Sequence, residues 1–149
     1  MNPLNPLRAL RFFIEAISGR RNFLNLTASE KGRLGEREAE RHLKKKGFRI
    51  VKRNWRKGHD EIDLICRDQE TLVFVEVRTR KDKALVSGYH SVTPKKKRAL
   101  LRVCKGYLRS RRKYVQHYRF DLVEVRWLED GKVACLHYEN VALFPNRSH

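Results

Sequence analysis

The chain has 149 residues, 40% of them hydrophobic, and 35 Lys and Arg against 17 Asp and Glu give a formal net charge of +18. That length suits one domain with a real core and leaves no obvious room for two. The charge calls for a polyanionic partner, either nucleic acid or an anionic membrane surface, and speaks to association rather than fold. Cys66, Cys104 and Cys135 stand far apart with no C-x-x-C spacing. A disulfide framework and a zinc site are therefore not indicated, and reduced thiols in a cytoplasmic protein are the natural reading. No apolar run reaches the roughly 18 residues that cross a membrane.

In chain order, residues 1–28 read as an N-terminal arm and 29–149 as the folded domain. Leu7, Leu10, Ile14 and Ile17 recur in the arm at helical spacing, with Arg8 and Arg11 beside them. Its apolar stretch, 12–14, is too short for a secretory signal core. Such a basic amphipathic segment lies on a membrane, addresses an organelle, or packs on its own domain or stays loose; the last is favoured.

A helix is predicted from about Ser29 or Arg33 to Lys46, stopping at Gly47. Glu36, Ala39, Glu40 and Leu43 fall at i, i+3, i+4 and i+7, which puts Glu36 on the face that buries Ala39 and Leu43. Glu36 is either a functional acid or a first-turn acid that complements the helix dipole. Residues 48–51 form a first strand that continues through 54–56 into a loop at 57–60.

Residues 61–66 and 72–78 read as a hairpin joined by the polar turn 68–71. That turn sets Asp63 opposite Glu76, Leu64 opposite Val75, Ile62 opposite Val77 and Cys66 opposite Val73. One face is then wholly apolar, and the other carries Glu61, Asp63, Ile65, Phe74, Glu76 and Arg78. Carboxylates facing each other on a sheet repel. A hard divalent cation relieves that repulsion, because Mg2+ takes one or two carboxylates with waters and a substrate phosphate. The plainer alternative is an exposed face laced with ion pairs, Glu61 facing Arg78.

A polar loop follows over 81–91, with Gly88 as its flexible point. The second helix starts at the N-cap Thr93 with Pro94 in the first position. Leu100, Leu101, Val103, Cys104, Tyr107 and Leu108 make its apolar stripe, and Lys96 and Lys97 lie a turn earlier, at the sheet edge. Residues 91–120 hold no acid. They carry Lys95, Lys96, Lys97, Arg98, Arg102, Lys105, Arg109, Arg111, Arg112, Lys113 and Arg119. A solvated helix face is normally of mixed sign, so this stretch reads as a phosphate-backbone contact surface. Strands at 118–127 and 133–139 close the chain around a turn at 129–131, with Asp121 read as a salt-bridge partner. The order fits an α/β domain with a mixed central sheet flanked by helices.

The blocks G-E-R-E-A-E-R-H-L-K-K-K-G-F-R-I from Gly35, N-W-R from Asn54, E-I-D-L-I from Glu61 and F-V-E-V-R-T-R from Phe74 resemble the YraN-like family of uncharacterised bacterial proteins. V-T-P-K-K from Val92 and R-F-D from Arg119 look like further blocks of it. The resemblance covers roughly Arg33 to Val125 and leaves out the first thirty residues. That family is held to be similar to archaeal Holliday junction resolvases and the PD-(D/E)xK nucleases. The resemblance therefore implies a restriction-endonuclease-like fold and a Mg2+- or Mn2+-dependent phosphodiesterase site. By motif position Glu36 matches the helix acid, Asp63 the central acid and Glu76 the acid of the E-x-K element. Asp63, Glu76 and the Val77 carbonyl would hold the metal, with Glu36 reaching it through water or holding a second ion.

Two departures stand out. Position 78 is Arg where the superfamily has Lys, although the resembling family tolerates Arg. Arginine cannot act as a base but can clamp a phosphate bidentately, which leaves Lys96 or Lys97 to supply the missing amine. Asp60 replaces the glycine usual before E-I-D. Either change is compatible with a site that binds without cutting. The expected function is thus a metal-dependent endonuclease on nucleic acid, DNA favoured over RNA and branched DNA included. The alternative is a catalytically inactive nucleic-acid-binding protein that uses the nuclease fold as scaffold. Related resolvases act as dimers on the two cut sites of a four-way junction, so a homodimer belongs to the expectation.

Overall fold

A computed structural model describes residues 26–81, 92–128 and 131–144. The elements run α1 (Ala28–Lys45), β1 (Arg49–Lys57), β2 (Asp60–Asp68), β3 (Thr71–Lys81), α2 (Pro94–Ser110), β4 (Tyr118–Trp127) and β5 (Val133–Tyr138). The strands form one sheet in the order β1-β2-β3-β4-β5. β3 and β4 are parallel and the other three neighbouring pairs antiparallel. The parallel pair is the one joined through a helix, since parallel strands need a long crossover. The architecture is α/β, a five-stranded mixed sheet flanked by two helices in a restriction-endonuclease-like fold.

α2 begins at its expected cap, and α1 begins at Ala28, just ahead of the expected start at Ser29 or Arg33. The Thr27 hydroxyl caps α1 in a capping box with Glu30, and Gly47 follows its end at φ +91°, a conformation that favours glycine. Thr93 caps α2 ahead of Pro94. α1 lays Ala39 and Leu43 on the sheet face formed by Leu64, Val73, Val75 and Val123. α2 lays Leu100, Val103, Cys104 and Tyr107 on the opposite face, against Ile65, Phe74, Phe120 and Leu122. Cys66 and Cys104 are buried free thiols and Cys135 a half-buried one.

The sheet differs from the sequence expectation in several ways. Each face is covered by its own helix, as a central sheet flanked by helices requires, so the open ion-paired hairpin face of the plainer alternative is absent from the described residues. The first strand is continuous over Arg49–Lys57, begins after Phe48, and turns at Gly58. The hairpin turn is tighter than 68–71: Asp68 still pairs Thr71, and Gln69 takes φ +50°. Glu61 does not face Arg78. It pairs with Arg56 at 2.8 Å on the neighbouring strand. Asp121 is the salt-bridge partner the sequence suggests, fully buried and held by Arg119 at 2.9 Å, His137 Nε2 at 2.9 Å and the Asn140 N–H at 2.9 Å. Burial works against the charge of Asp121, but the hydrogen bonds from His137, Arg119 and Asn140 outweigh it and hold the carboxyl below its ordinary pKa. The N-terminal arm through residue 25, the loop 82–91 and the turn residues Glu129 and Asp130 lie outside the described residues.

Candidate functional site: an acidic cleft at the end of the hairpin

The hairpin keeps the expected register from Asp68↔Thr71 through Cys66↔Val73 to Leu64↔Val75. There the backbone ladder stops. Asp63 and Glu76 are not a paired couple, nor are Ile62 and Val77. Instead the Val77 N–H donates to Asp63 Oδ2 at 2.7 Å, so a side-chain carboxylate stands where a strand carbonyl would accept. The alternation of side chains breaks at the same place. Ile62 packs with the α2 cluster and Leu64 with the α1 cluster, although they are two residues apart. β1 carries the matching irregularity. Its register holds from Arg53↔Leu64 to Trp55↔Ile62, its bulge lying earlier between Ile50 and Lys52, but Asn54 between those pairs takes φ +46°. The Asn54 amide donates to Glu36 Oε2 of α1 at 3.1 Å.

These irregularities open a cleft of ≈ 370 Å³ that Glu36, Asp63, Glu76, Val77 and Arg78 line together with Lys31, Gly32, Thr79 and Arg80. Gly35 sets its width. A Cβ there would come within 1.8 Å of Thr79 Oγ1, so only glycine lets α1 lie this close to β3 and carry Glu36 to the cleft. From the other face Lys96, in the first turn of α2, brings its ammonium to 3.1 Å from Glu76 Oε1. First-turn residues of both helices therefore adjoin the acids, and first turns present the positive end of the helix dipole.

Glu76 is 3% exposed, its Oε2 is buried without a hydrogen-bond partner, and so is Arg78 Nε, which lies 3.5 Å from Glu76 Oε1. Burial pushes the Asp63 carboxyl up to about 7. The charges of Glu76 and Glu36 push it the same way, while the Val77 N–H and Lys96 pull against them. Burial also raises Glu76, against the pull of Lys96 and Arg78. The pair thus keeps protons that free carboxylates give up. Among the described residues, no three His, Cys, Asp or Glu side chains are gathered closely enough to enclose a metal unaided. Two carboxylates with a carbonyl and waters remain a sufficient set for Mg2+.

The fold thus brings Glu36, Asp63, Glu76, Val77, Arg78 and Lys96 together. It does not bring the rest of the basic set there. Lys95 and Arg98 are exposed on α2, and Arg109, Arg111, Arg112 and Lys113 lie at its far end. At about 1.5 Å per residue that end is about 21 Å from Lys96. Arg102 is not an open phosphate contact: it holds Asp60 in a bidentate pair at 2.9 and 3.0 Å. Asp60 accordingly sends its charge to α2 and adds none to the cleft. Sequence reasoning missed Glu124, which is fully buried on β4 opposite Arg78 and paired with Arg126. The signal was present, since Glu124 shares a strand face with Phe120 and Leu122 as Glu76 does with Phe74. It also missed Gly35 and its close contact with Thr79.

A two-helix, mixed-sheet domain of restriction-endonuclease-like fold, with buried and half-buried acids at the end of its central hairpin, is the class these features define. Within that class, the model of the uncharacterised protein family UPF0102 matches residues 35–125, and the chain belongs to that family. It is 38% identical over 119 residues to a UPF0102 protein of Lawsonia intracellularis, covering 80% of this chain and 89% of the relative. A UPF0102 protein of Syntrophomonas wolfei is 37% identical over 111 residues, 74% of this chain and 96% of its own. One from Oleidesulfovibrio alaskensis is 45% identical over 92 residues, 62% of this chain but 46% of the relative's own length. Among the described residues no helix is long and apolar enough to cross a membrane.

Proposed function

We propose that this domain is a divalent-metal-dependent endonuclease that hydrolyses nucleic-acid phosphodiesters, with DNA as its substrate and branched DNA within its range. The observation that carries the reading is the pairing of half-buried Asp63 with buried Glu76, with Glu76 Oε2 left without a hydrogen-bond partner. Two desolvated carboxylates and an idle oxygen are costly in a fold. A hard cation held by Asp63, Glu76 and the Val77 carbonyl, with Glu36 contributing from α1, relieves that cost. Mg2+ or Mn2+ supplies Lewis acidity toward a water and a phosphate oxygen. Arg78, whose Nε is unspent, holds the scissile phosphate and its developing charge. Lys96 contributes the amine that position 78 lacks, its ammonium 3.1 Å from Glu76 Oε1. A homodimer would present two such clefts to the two cut sites of a four-way junction.

Calorimetric titration of Mn2+ into the full chain tests the reading. Binding that is lost in Asp63→Asn supports it, and binding unchanged by that substitution overturns it.

A second reading is a nucleic-acid-binding protein that keeps the fold as a scaffold and does not cut. The observation in its favour is the Lys96 ammonium at 3.1 Å from Glu76, a built-in cation beside the acids. It predicts DNA affinity that falls steeply with salt and does not change with metal. The nuclease reading predicts that metal adds affinity or turnover.

A further inference from the structure

At the far end of α2, away from the acidic cleft, the segment 111–117 combines exposed cations with one exposed aromatic ring. Tyr114 is 78% exposed, more than any other large apolar side chain among the described residues. Arg111, Arg112 and Lys113 precede it, all exposed, and His117 follows. Single exposed apolar side chains are ordinary; this ring differs in its setting and in how it is held.

The segment is fixed on both sides of the ring. The Ser110 hydroxyl donates to the Tyr107 carbonyl at 2.7 Å, and the Arg111 N–H donates to the Leu108 carbonyl at 3.3 Å. The Arg111 guanidinium lies over the buried Tyr107 ring at 5.6 Å. Val115, next to Tyr114, packs on the core, and the His117 carbonyl accepts from the Leu72 N–H at 3.0 Å. With Arg111 anchored before it and Val115 after it, Tyr114 is presented to solvent directly behind the cations Arg111, Arg112 and Lys113.

An exposed ring beside a run of exposed cations is the chemistry that receives an unstacked base, with the backbone phosphates held beside it. A duplex offers the cations its phosphates but keeps its base faces stacked and out of reach. We propose that Tyr114 is a stacking platform for single-stranded DNA, gripped by Arg112 and Lys113. It rests on the nucleic-acid reading above and narrows it to DNA with an unpaired stretch. About 21 Å of α2 separates Lys96 from the helix end that precedes the platform. A strand leaving a junction would then be cut at one end of α2 and held at the other.

The test is fluorescence anisotropy of the full chain in EDTA with a labelled oligothymidylate, its RNA counterpart and a duplex. Tyr114→Ala is expected to weaken single-strand binding roughly tenfold and leave duplex binding unchanged, with Tyr114→Phe retaining affinity. The salt dependence should persist in Tyr114→Ala and flatten in Arg112→Ala, because stacking releases no counterions. Single-strand binding unaltered by Tyr114→Ala, or duplex binding weakened equally, overturns the proposal. A Tyr114-dependent preference for the RNA strand overturns its assignment to DNA. EDTA separates the two claims. A chain that never cuts but loses strand binding with Tyr114→Ala refutes the nuclease reading alone. A chain that cuts with Tyr114 idle refutes this inference alone.

Discussion

Asp63 carries the most unusual balance of forces in the molecule, and its consequence for stability has a definite sign. Its carboxyl ordinarily titrates at 3.8 and is pushed to about 7 in the fold, by burial first and then by Glu76. Between those values the native chain holds a proton that the unfolded chain has released, so Asp63's contribution to stability declines as pH rises through that window. Urea midpoints measured across it should show a decline that Asp63→Asn reduces; a profile identical in the two chains would contradict this assignment. Glu76→Gln removes the neighbouring charge, so the Asp63 pKa should fall, which a carboxyl-carbon NMR titration reads directly. At this scale the acids were legible because charge inside an apolar strand pattern is conspicuous in any sequence. Their partners were not. That Arg102 goes to Asp60 and that Glu61 goes to Arg56 rather than Arg78 depend on which strand or helix lies alongside; the reach of Lys96 toward the sheet was the one contact its place before the apolar stripe announced.

Between elements, the site depends on how closely α1 approaches β3. Gly35→Ala would drive its new methyl into Thr79 Oγ1, 1.8 Å away. The overpacking should destabilise the fold by about 1–3 kcal/mol, measured by urea unfolding, and Thr79→Ala in the same chain should recover most of the loss. Gly32 on the same helix meets nothing within 4 Å, so Gly32→Ala should instead stabilise, by up to about 1 kcal/mol. Equal costs at both positions would mean that Gly35 is not there for close packing. The second helix cap and the inner hairpin register could be read from Thr93, Pro94 and the alternation from Leu64 to Val75, whereas the Thr27 cap was passed over for a start at Ser29 or Arg33. The break at Asp63 and Asn54 could not, because period-two patterning carries no mark of a place where a carboxylate replaces a backbone acceptor. That helices flank the sheet followed from the order of elements, but which face each one covers did not. An acid-bearing strand face looks exposed in sequence, and only α2, arriving from 94–110, shows that it is covered.

For the whole molecule, the +18 charge is divided between committed and available cations. Arg53, Arg56, Arg102 and Arg119 are tied to acids. Arg112 and Lys113 have no acidic partner among the described residues and should account for salt-sensitive binding. Replacing both with alanine should reduce the slope of log affinity against log salt on a single strand by about 1.4, at about 0.7 per phosphate contact, and an unchanged slope would remove them from the interface. The central claim is that Asp63 and Glu76 hold a cation for phosphodiester cleavage. The most direct measurement is cleavage of labelled single-stranded, duplex and four-way-junction DNA with Mg2+ or Mn2+, beside EDTA and an Asp63→Asn/Glu76→Gln control. The account predicts cutting that requires metal and vanishes in the control. DNA that is bound but never cut with either metal, or cutting that survives in the control, would contradict it.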